Sequence, residues 1–467
     1  MPHQDLPRVT GPAAHHQDLG AVLDWITDGV DVAGLTVRAH CSWSPRALIA
    51  IALLWAWSDE PTLGERFLAA RKIVLRAWGL PGSTAATYQA FLKRLQAWTG
   101  VLVAALVLAF RRRMQEDLAE RFTVAGFAAF GVDGSRLQLP RTASNQGHFA
   151  RPSRRSAKAK SGRGNARAQA ARRKKAEDPQ MWLTTMFHLG TGLPWDWRLG
   201  PTDSSEREHL RQMSDALPAE ALVVADAGFV GYDLWSTLRQ GGRHLLVRVG
   251  SNVRLLKQLG DARVHDGLVW LWPDHAARRG QPPLVLRLIV AQGPRHPVYL
   301  VTSVLDEARL PDRAVIELYR LRWGIELFYR HFKQTFGRRK LRSQRAENAE
   351  LEATWSLVGL WAMGLHGQVE LSYDAIPASS ISVSGLLRAY RSSLREYRSV
   401  PEPGESLWDR LRQAVIDPYR RSSKTSRDYP RKKHERAPGA PQILSATALD
   451  LERAEELRDV HPERLTA

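Results

Sequence analysis

The sequence predicts an α/β protein: a mixed sheet flanked by helices, preceded by an all-helical domain and followed by a helical and basic C-terminal region. Three observations support this prediction. Residues 21–120 have helical periodicity throughout. From residue 121 onward, short apolar runs such as residues 221–227 alternate with amphipathic helices, as in α/β proteins. Between about residues 250 and 311, strand-like runs are separated by Pro and Gly turns.

The composition points to a polyanionic partner. The chain has 467 residues, a net charge of +19 and a pI of about 10.4, which favours nucleic acid over other partners. A membrane surface is the competing partner, but neither end carries a lipidation motif. A single cysteine, Cys41, excludes an internal disulfide and a cysteine-rich zinc site. With no apolar signal region and no membrane partner expected, we predict a cytoplasmic, nucleoid-associated protein.

The N-terminal part divides into a flexible segment, residues 1–20, and a helical domain, residues 21–120. After a break at Pro81 and Gly82, residues 84–98 predict a helix, and a separate helix follows and ends in three arginines. The first of these helices places two cations beside aromatic residues. The domain is therefore either a helix-turn-helix variant that reads DNA or a plain helical bundle. The candidate DNA contacts are Lys93 and Arg94.

A basic loop interrupts the predicted catalytic core, residues 121–370. The loop spans residues 141–178, and its segment 151–175 has eleven Lys or Arg and no acid. Such a segment cannot bury enough apolar surface to fold alone, so we expect a mobile loop that binds phosphates; an inert solubilising loop is the alternative. Residues 371–467 are predicted to form C-terminal helices and a second basic tail. The loop's candidate DNA contacts are Arg154, Arg155, Lys158 and Lys160.

Two aspartates each close an apolar run of the predicted sheet. Asp133 follows the run that ends at Val132, and Asp226 ends the run that begins at Ala221. Acids at the ends of buried strands are costly unless they are paired or bind a metal, although an Asp in an ordinary turn is the simpler alternative. In the β-rich insertion at about 250–311, Trp270 and Trp272 alternate along one strand. They either stack on exposed bases or belong to the core.

The segment from Leu318 to Lys340 predicts one amphipathic helix. At about 100° per residue, four of its polar residues fall within roughly 60° of one another, while the apolar residues occupy another arc. This polar face holds one carboxylate among cations. On the helix alone, the acid is either part of a solvated ion-pair face or a metal ligand beside phosphate-binding groups. The four residues are Tyr319, Arg322, Glu326 and Lys333.

The three acids together have the chemistry of a divalent metal site. Asp133, Asp226 and Glu326 offer hard oxygen ligands without Cys or clustered His, which selects Mg²⁺ or Mn²⁺ over zinc. Two such ions held between carboxylates can activate a water or a 3′-hydroxyl and stabilise the leaving oxygen of a phosphodiester.

These motifs resemble a known family. The spacing Tyr319-x2-Arg322-x3-Glu326-x6-Lys333 matches the YREK signature of bacterial DDE-class transposases of insertion-sequence family four. Asp133 in VDGS and Asp226 in ADAGF are similar to the first two acids of that family's triad. The resemblance covers roughly residues 120–370, and the β-rich block resembles the family's insertion domain. Family members often have a basic residue after the second aspartate, where this chain has Ala227.

The resemblance implies an RNase H-like fold in which Asp133, Asp226 and Glu326 bind two Mg²⁺ or Mn²⁺ ions. It implies cut-and-paste DNA transposition: hydrolytic cleavage at transposon ends, then attack of the 3′-OH on target DNA. Arg322 and Lys333 would hold phosphates, and Tyr319 would contact DNA beside them. The implied partners are terminal inverted repeats, target DNA and a second copy of the chain in a synaptic complex. A hydrolysis-only nuclease and a non-catalytic DNA-binding protein with a transposase-derived core are the alternatives.

Overall fold

The computed structural model describes residues 15–35, 37, 43–84, 86–150, 178–259, 267–293, 296–398, 400–415 and 439–460. Over these residues the protein is mixed α/β, as predicted. The chain divides into two compact units. The first unit comprises residues 1–118, 137–148 and 330–418, and the second comprises residues 119–136, 149–329 and 419–467.

The α-helices of the described chain are α1 (Leu19–Thr27), α2 (Pro45–Trp57), α3 (Leu63–Ala77), α4 (Tyr88–Glu116), α5 (Ala119–Phe122), α6 (Ala143–Phe149), α7 (Glu206–Met213), α8 (Tyr232–Gln240), α9 (Asp274–Arg278), α10 (Asp312–Leu321), α11 (Gly324–Arg330), α12 (Ala346–Ser372), α13 (Val383–Arg395), α14 (Leu407–Arg412) and α15 (Ala448–Val460).

The core of the first unit forms where α2 packs on α12. Nearly every residue of α2 is buried, and so is nearly all of α12 after its first turns. Gly359 lets the two helices approach closely, since a side chain there would meet the Ala56 methyl group at 3.0 Å. Trp57 Nε1 donates to the Gly359 carbonyl at 2.8 Å, which satisfies a buried indole N–H.

Helix α4 differs from its prediction. Two helices were expected, but residues 88–116 form one 29-residue helix. The reason is that its buried stripe continues without a break from Phe91 and Leu95 through Trp98 to Leu102, and a single glycine does not interrupt it. By length and composition α4 could also cross a membrane, which is weak evidence because core helices of soluble proteins pass the same test.

The second unit is built on a ten-stranded sheet in the order β10-β6-β7-β8-β9-β5-β4-β1-β2-β3. The four strands within the predicted insertion, β6 to β9, extend this same sheet. Trp270 and Trp272 are buried, which makes them core residues. The strands are β1 (Ala129–Gln138), β2 (Gln180–His188), β3 (Leu193–Gly200), β4 (Leu222–Ala225), β5 (His244–Val249), β6 (Arg254–Lys257), β7 (Leu268–Leu271), β8 (Leu284–Ala291), β9 (Val298–Thr302) and β10 (Gln442–Ser445).

The strand directions explain where the polar residues collect. Strands β1, β4 and β5 are parallel neighbours, whereas β5, β9, β8, β7 and β6 pair antiparallel in that order. Strand β4 is fully buried, as its continuous apolar run indicates. Parallel strands end at the same edge of a sheet, so the residues that follow β4 lie beside the later part of β1.

The prediction of a single helix over Leu318–Lys340 is wrong. Helix α10 ends at Leu321, α11 runs from Gly324 to Arg330, and residues His331–Thr335 form a π-helical turn. Gly337, with φ of +71°, follows the last turn. Of the four polar residues of the predicted face, Tyr319 therefore lies on α10, Arg322 just after it, Glu326 on α11 and Lys333 in the π-helical turn.

Candidate active site

The two aspartates lie level with each other on neighbouring strands. In the parallel pairing of β1 with β4, Gly131 is opposite Val224. Two residues further along each strand are Asp133 and Asp226. Adjacent strands lie about 4.8 Å apart, so the pairing brings the two carboxylates to the same place.

Asp133 does not close its strand, contrary to the sequence prediction. Strand β1 continues to Gln138, and what changes at Asp133 is burial: residues 129–132 are buried and residues 133–135 are half-buried. Asp226 does follow the last residue of β4 directly. Its Oδ1 accepts from Gly228 N at 2.7 Å and caps a short 3₁₀ helix, Ala227–Phe229. This turn fixes the backbone that carries the second acid.

The electrostatics of Asp133 show that the three predicted acids are neighbours. Burial, with smaller contributions from the nearby Asp226 and Glu326, raises the pKa of Asp133 to about 6. The Gly134 N–H, which donates to Asp133 Oδ1 at 2.8 Å, and the Arg322 guanidinium oppose this rise. The structure thus brings Asp226 and Glu326 within electrostatic reach of Asp133, in the second unit.

Glu326 lies in the first turn of α11 beside Arg322. Arg322 Nη2 donates to Glu326 Oε1 at 3.3 Å, and the arginine side chain is 12% exposed against 35% for the glutamate. Arg322 Nε is buried and has no hydrogen-bond partner among the residues described. A buried guanidinium with a donor to spare suits a phosphate or another carboxylate.

Tyr319 lies one turn before Arg322, at the end of α10. The Arg322 guanidinium carbon lies 5.6 Å from the centre of the Tyr319 ring. Burial raises the pKa of the Tyr319 phenol, while Arg322 and Arg248 oppose the rise. The tyrosine is therefore a neutral, half-buried hydroxyl among cations of the same unit.

Glu206 is a fourth acid that the sequence analysis missed. It lies in the first turn of α7. Burial raises the pKa of Glu206 to about 7, with further contributions from Asp133 and Asp226. Its carboxylate packs against Gly134, where a side-chain carbon would lie 2.1 Å from Glu206 Oε1. The sequence signal was hidden, because acids are common in the first turn of any helix.

Tyr329 is a second residue that was missed. Its buried hydroxyl donates to the Asp133 carbonyl at 2.7 Å and lies 3.2 Å from the Leu183 carbonyl. The same oxygen accepts from Thr185 N at 3.1 Å. The Tyr329 side chain therefore fastens α11, the helix that carries Glu326, to β1 and β2. Within the sequence, Tyr329 looked like an ordinary aromatic residue of an apolar helix face.

Trp323 also has an unexpected position. It lies between α10 and α11 and is 57% exposed, beside the exposed Leu321 and Leu327. A large aromatic ring left in solvent next to Arg322 and Glu326 is available for contact with a partner. Nucleic-acid bases stack on such rings in many complexes.

The other predicted DNA contacts belong to the first unit or fall outside the described residues. Lys333 is in the π-helical turn, which belongs to the first unit. In the same unit, Lys93 is exposed on α4, and Arg94 stacks over the Trp98 ring at 4.6 Å. The four loop cations Arg154, Arg155, Lys158 and Lys160 fall outside the described residues.

Comparison with known proteins matches a family to the part of the chain that contains the three acids. Residues 130–361 match the family described as transposase DDE domain. The transposase InsG for insertion sequence element IS4, from Escherichia coli (strain K12), is 28% identical over 222 residues, which are 45% of this chain and 47% of that protein. The chain thus spans about half the length of this curated relative. Asp133, Asp226 and Glu326 all lie within the matched residues.

One solved structure is also similar, the cryo-EM structure of a piggyBac transposase synaptic complex with hairpin DNA. It covers 89% of this chain and 88% of that chain, with a TM-score of 0.39 and 12% sequence identity. At that TM-score the likeness does not establish a shared fold.

Proposed function

We propose that this protein is a DNA transposase, because residues 130–361 match the family described as transposase DDE domain. It would cleave DNA at the ends of its element and join the freed 3′-OH to target DNA. The observation that supports this most directly is the cluster of Asp133, Asp226 and Glu326 within one unit. The two aspartates are level on neighbouring parallel strands, and Glu326 lies on α11. We further propose an RNase H-like core. The mixed sheet supports this proposal, because the three acids lie on β1, directly after β4 and on α11.

The cluster fits divalent metal ions. Each acid supplies hard oxygen atoms, and burial, together with the neighbouring carboxylates, raises the pKa of Asp133 and of Glu206, so a bound cation would favour the ionised form of both. The proposed ligands are Asp133, Asp226 and Glu326, with Glu206 as a fourth carboxylate and Mg²⁺ or Mn²⁺ as the ions, two per site. Bound ions of this kind lower the pKa of an attacking water or 3′-hydroxyl and stabilise the leaving oxygen.

The surrounding residues would position the DNA and the acids. Arg322 has a free Nε donor beside Glu326 and would bind a phosphate next to the scissile bond. Tyr319 and Lys333 would contact the DNA backbone on either side, as the YREK signature implies. Tyr329 would hold α11 at a fixed distance from β1, and Trp323 would stack on a base.

The partners follow from the same proposal. Substrate DNA would be the terminal inverted repeats of the element together with target DNA, and the enzyme would act as a homodimer in a synaptic complex. The net charge of +19 supports a polyanionic partner. Lys93, Arg94 and the loop cations Arg154, Arg155, Lys158 and Lys160 would add phosphate contacts. Action on chromosomal DNA would place the protein in the cytoplasm, at the nucleoid.

The test is cleavage and joining of DNA that carries the inverted repeats flanking the coding region. With Mg²⁺, the wild-type protein should give joined products. Substituting Asn for Asp133 or Asp226, or Gln for Glu326, should lower the cleavage rate by more than about a hundredfold, since metal ions contribute several kcal/mol to such reactions. Binding of the same DNA, measured by fluorescence anisotropy, should change by less than about threefold, because phosphate contacts dominate affinity.

A matched control is Asp233→Asn, an exposed acid in the first turn of α8. It should leave both cleavage and binding unchanged. Cleavage without joining by the wild type would favour the hydrolysis-only nuclease. DNA binding without any cleavage, unchanged by Glu326→Gln, would favour the non-catalytic DNA-binding protein. Normal cleavage by Asp226→Asn would refute the assignment of the acids.

A further inference from the structure

A second cluster of metal-ligating side chains lies in the first unit and has no part in the proposed reaction. His366 and Glu370 are four residues apart on α12, which puts both on one face of the helix. His16 reaches them from the segment just before α1, which is fixed by the Asp18 cap on Ala21 N at 3.0 Å. Among the described residues, these three form a group whose ligand atoms all lie within 4.8 Å of one another.

The distances between the ligand atoms suit a small tetrahedral ion. His366 Nε2 lies 3.3 Å from His16 Nδ1 and 3.5 Å from Glu370 Oε1. Ligands at about 2.0–2.1 Å from a tetrahedral Zn²⁺ lie about 3.3–3.4 Å from one another. The third distance, 2.5 Å from His16 Nδ1 to Glu370 Oε1, is a hydrogen bond that an ion between the two atoms would replace.

Each ligand is oriented by a further partner, as in established metal sites. The other ring nitrogen of His366, Nδ1, lies 2.7 Å from the Tyr390 hydroxyl, which is buried. The other oxygen of Glu370, Oε2, lies 2.9 Å from His15 Nδ1. His15 is itself held by a stacked contact with Trp408 at 3.6 Å. Such outer partners fix the ring tautomer and leave His366 Nε2 and Glu370 Oε1 directed at His16.

Burial of the His366 and Glu370 side chains favours a bound cation at this site. The Glu370 side chain is 2% exposed and that of His366 is 0% exposed. Burial lowers the pKa of His366 to about 3, so the ring is the neutral imidazole that coordinates metals. Burial works to raise the pKa of Glu370, but hydrogen bonds from His16 and His15 lower it overall, so the carboxylate is ionised. A buried anion beside a neutral ring is stabilised by a positive ion.

We propose that His16, His366 and Glu370 bind one Zn²⁺, which fastens the segment before α1 to helix α12. Two imidazoles and one carboxylate form a ligand set that zinc proteins use, with water in the fourth position. The His16 side chain is 25% exposed, so solvent and the ion can reach the site. The site is separate from the carboxylate cluster in chemistry, because imidazole nitrogens select zinc over Mg²⁺.

The experiment measures zinc bound to tag-free, full-length protein. After treatment with a chelator, an excess of zinc over all sites is added, the protein is desalted and the metal is counted by mass spectrometry. Because the active-site acids can also take up zinc, the measured quantity is the difference between wild type and His16→Gln. We expect the variant to hold one zinc fewer per chain, and zinc to raise the Tm of wild type by a few degrees more than that of the variant.

The matched control is His148→Gln, which removes an exposed histidine that pairs with Glu350 at 3.1 Å in the same unit. It should keep the full zinc content. Cobalt gives a readout that needs no variant: Co²⁺ added to wild type should show the visible absorption of a tetrahedral site with nitrogen ligands. Equal zinc in wild type and folded His16→Gln would overturn the proposal, and so would an octahedral cobalt spectrum in wild type.

Discussion

Among the acids of the candidate active site, Glu206 links proton binding to folding. Its pKa rises from 4.5 to about 7 in the folded protein, and that of Asp133 rises from 3.8 to about 6, because both are partly buried beside other carboxylates. The folded state therefore binds protons more tightly than the unfolded state. Stability falls as pH rises from the unfolded pKa near 4 through the folded pKa near 7, and levels off above it.

This linkage predicts the behaviour of Glu206→Gln. In metal-free protein, the free energy of unfolding should decrease between about pH 5 and pH 8, and the variant should show a smaller decrease because one of the raised groups is gone. Urea denaturation at several pH values measures both slopes. Glu208→Gln is the control, since Glu208 is on the same helix but exposed and paired with Arg211. Identical pH slopes in Glu206→Gln and wild type would show that Glu206 is not coupled to the cluster.

Sequence patterns identified a functional residue only where its type differs from that of its neighbours. Asp226 was found because a carboxylate after a fully apolar run is unusual, and the register of β1 against β4 then put it level with Asp133. Glu206 and Tyr329 could not be found in this way. An acid in a first helical turn and an aromatic residue on an apolar face are ordinary, and their roles arise from contacts with distant parts of the chain.

At the scale of elements, a buried hydroxyl ties α11 to two strands. Tyr329 makes hydrogen bonds to Asp133, Leu183 and Thr185, so it ties the helix of Glu326 to β1 and β2. Tyr329→Phe leaves buried backbone groups unpaired, which should cost about 1–3 kcal/mol of stability. Because Glu326 is then less well held relative to Asp133, we expect kcat for DNA cleavage to fall about tenfold or more, with DNA affinity unchanged.

The control for this prediction is Tyr232→Phe. The Tyr232 hydroxyl donates to the Pro282 carbonyl, also in the second unit, so the substitution removes a comparable hydrogen bond. It should lower stability, though by less than Tyr329→Phe because one hydrogen bond is lost rather than three, and leave kcat unchanged. Calorimetry and single-turnover cleavage measure the two effects. If both variants lose activity in proportion to stability, Tyr329 has a structural role only.

Element boundaries were less predictable than element types. The polar spacing over Leu318–Lys340 continues through the breaks, so periodicity alone gave one helix where the structure has two helices and a π-helical turn. The breaks follow from tertiary contacts. Gly324, at the start of α11, lies against Phe187, where a side chain would meet the ring at 3.2 Å. The packing of the helix on the sheet, which the local pattern does not contain, therefore decides where α11 begins.

At the scale of the whole molecule, strand partners were the least predictable feature. The strands between residues 250 and 311 were recognised from their alternation and turns. The sequence did not predict that they join one ten-stranded sheet through the pairing of β9 with β5. Alternation states which face of a strand is buried and not which strand lies beside it. The charge of the chain, by contrast, is a property of composition and needs no structure.

That charge predicts a steep salt dependence of DNA binding. With 67 Lys and Arg against 48 Asp and Glu, we expect binding to release many counterions, so that affinity falls by about a thousandfold between roughly 50 and 200 mM salt. Fluorescence anisotropy over a salt series gives the slope of log K against log[salt]. Replacing four loop cations by Gln should reduce the steepness by about three to four, if each contacts one phosphate. The four are Arg154, Arg155, Lys158 and Lys160.

A control variant with the same change in net charge separates local contacts from the general field of the protein. Four arginines that already pair with carboxylates can be replaced instead: Arg211, Arg313, Arg395 and Arg398. Exposed ion pairs contribute little to binding a distant polyanion, so this variant should keep most of the slope. Equal loss of slope in both variants would mean that total charge, rather than the basic loop, governs affinity. A loop variant with the wild-type slope would place the phosphate contacts elsewhere on the protein.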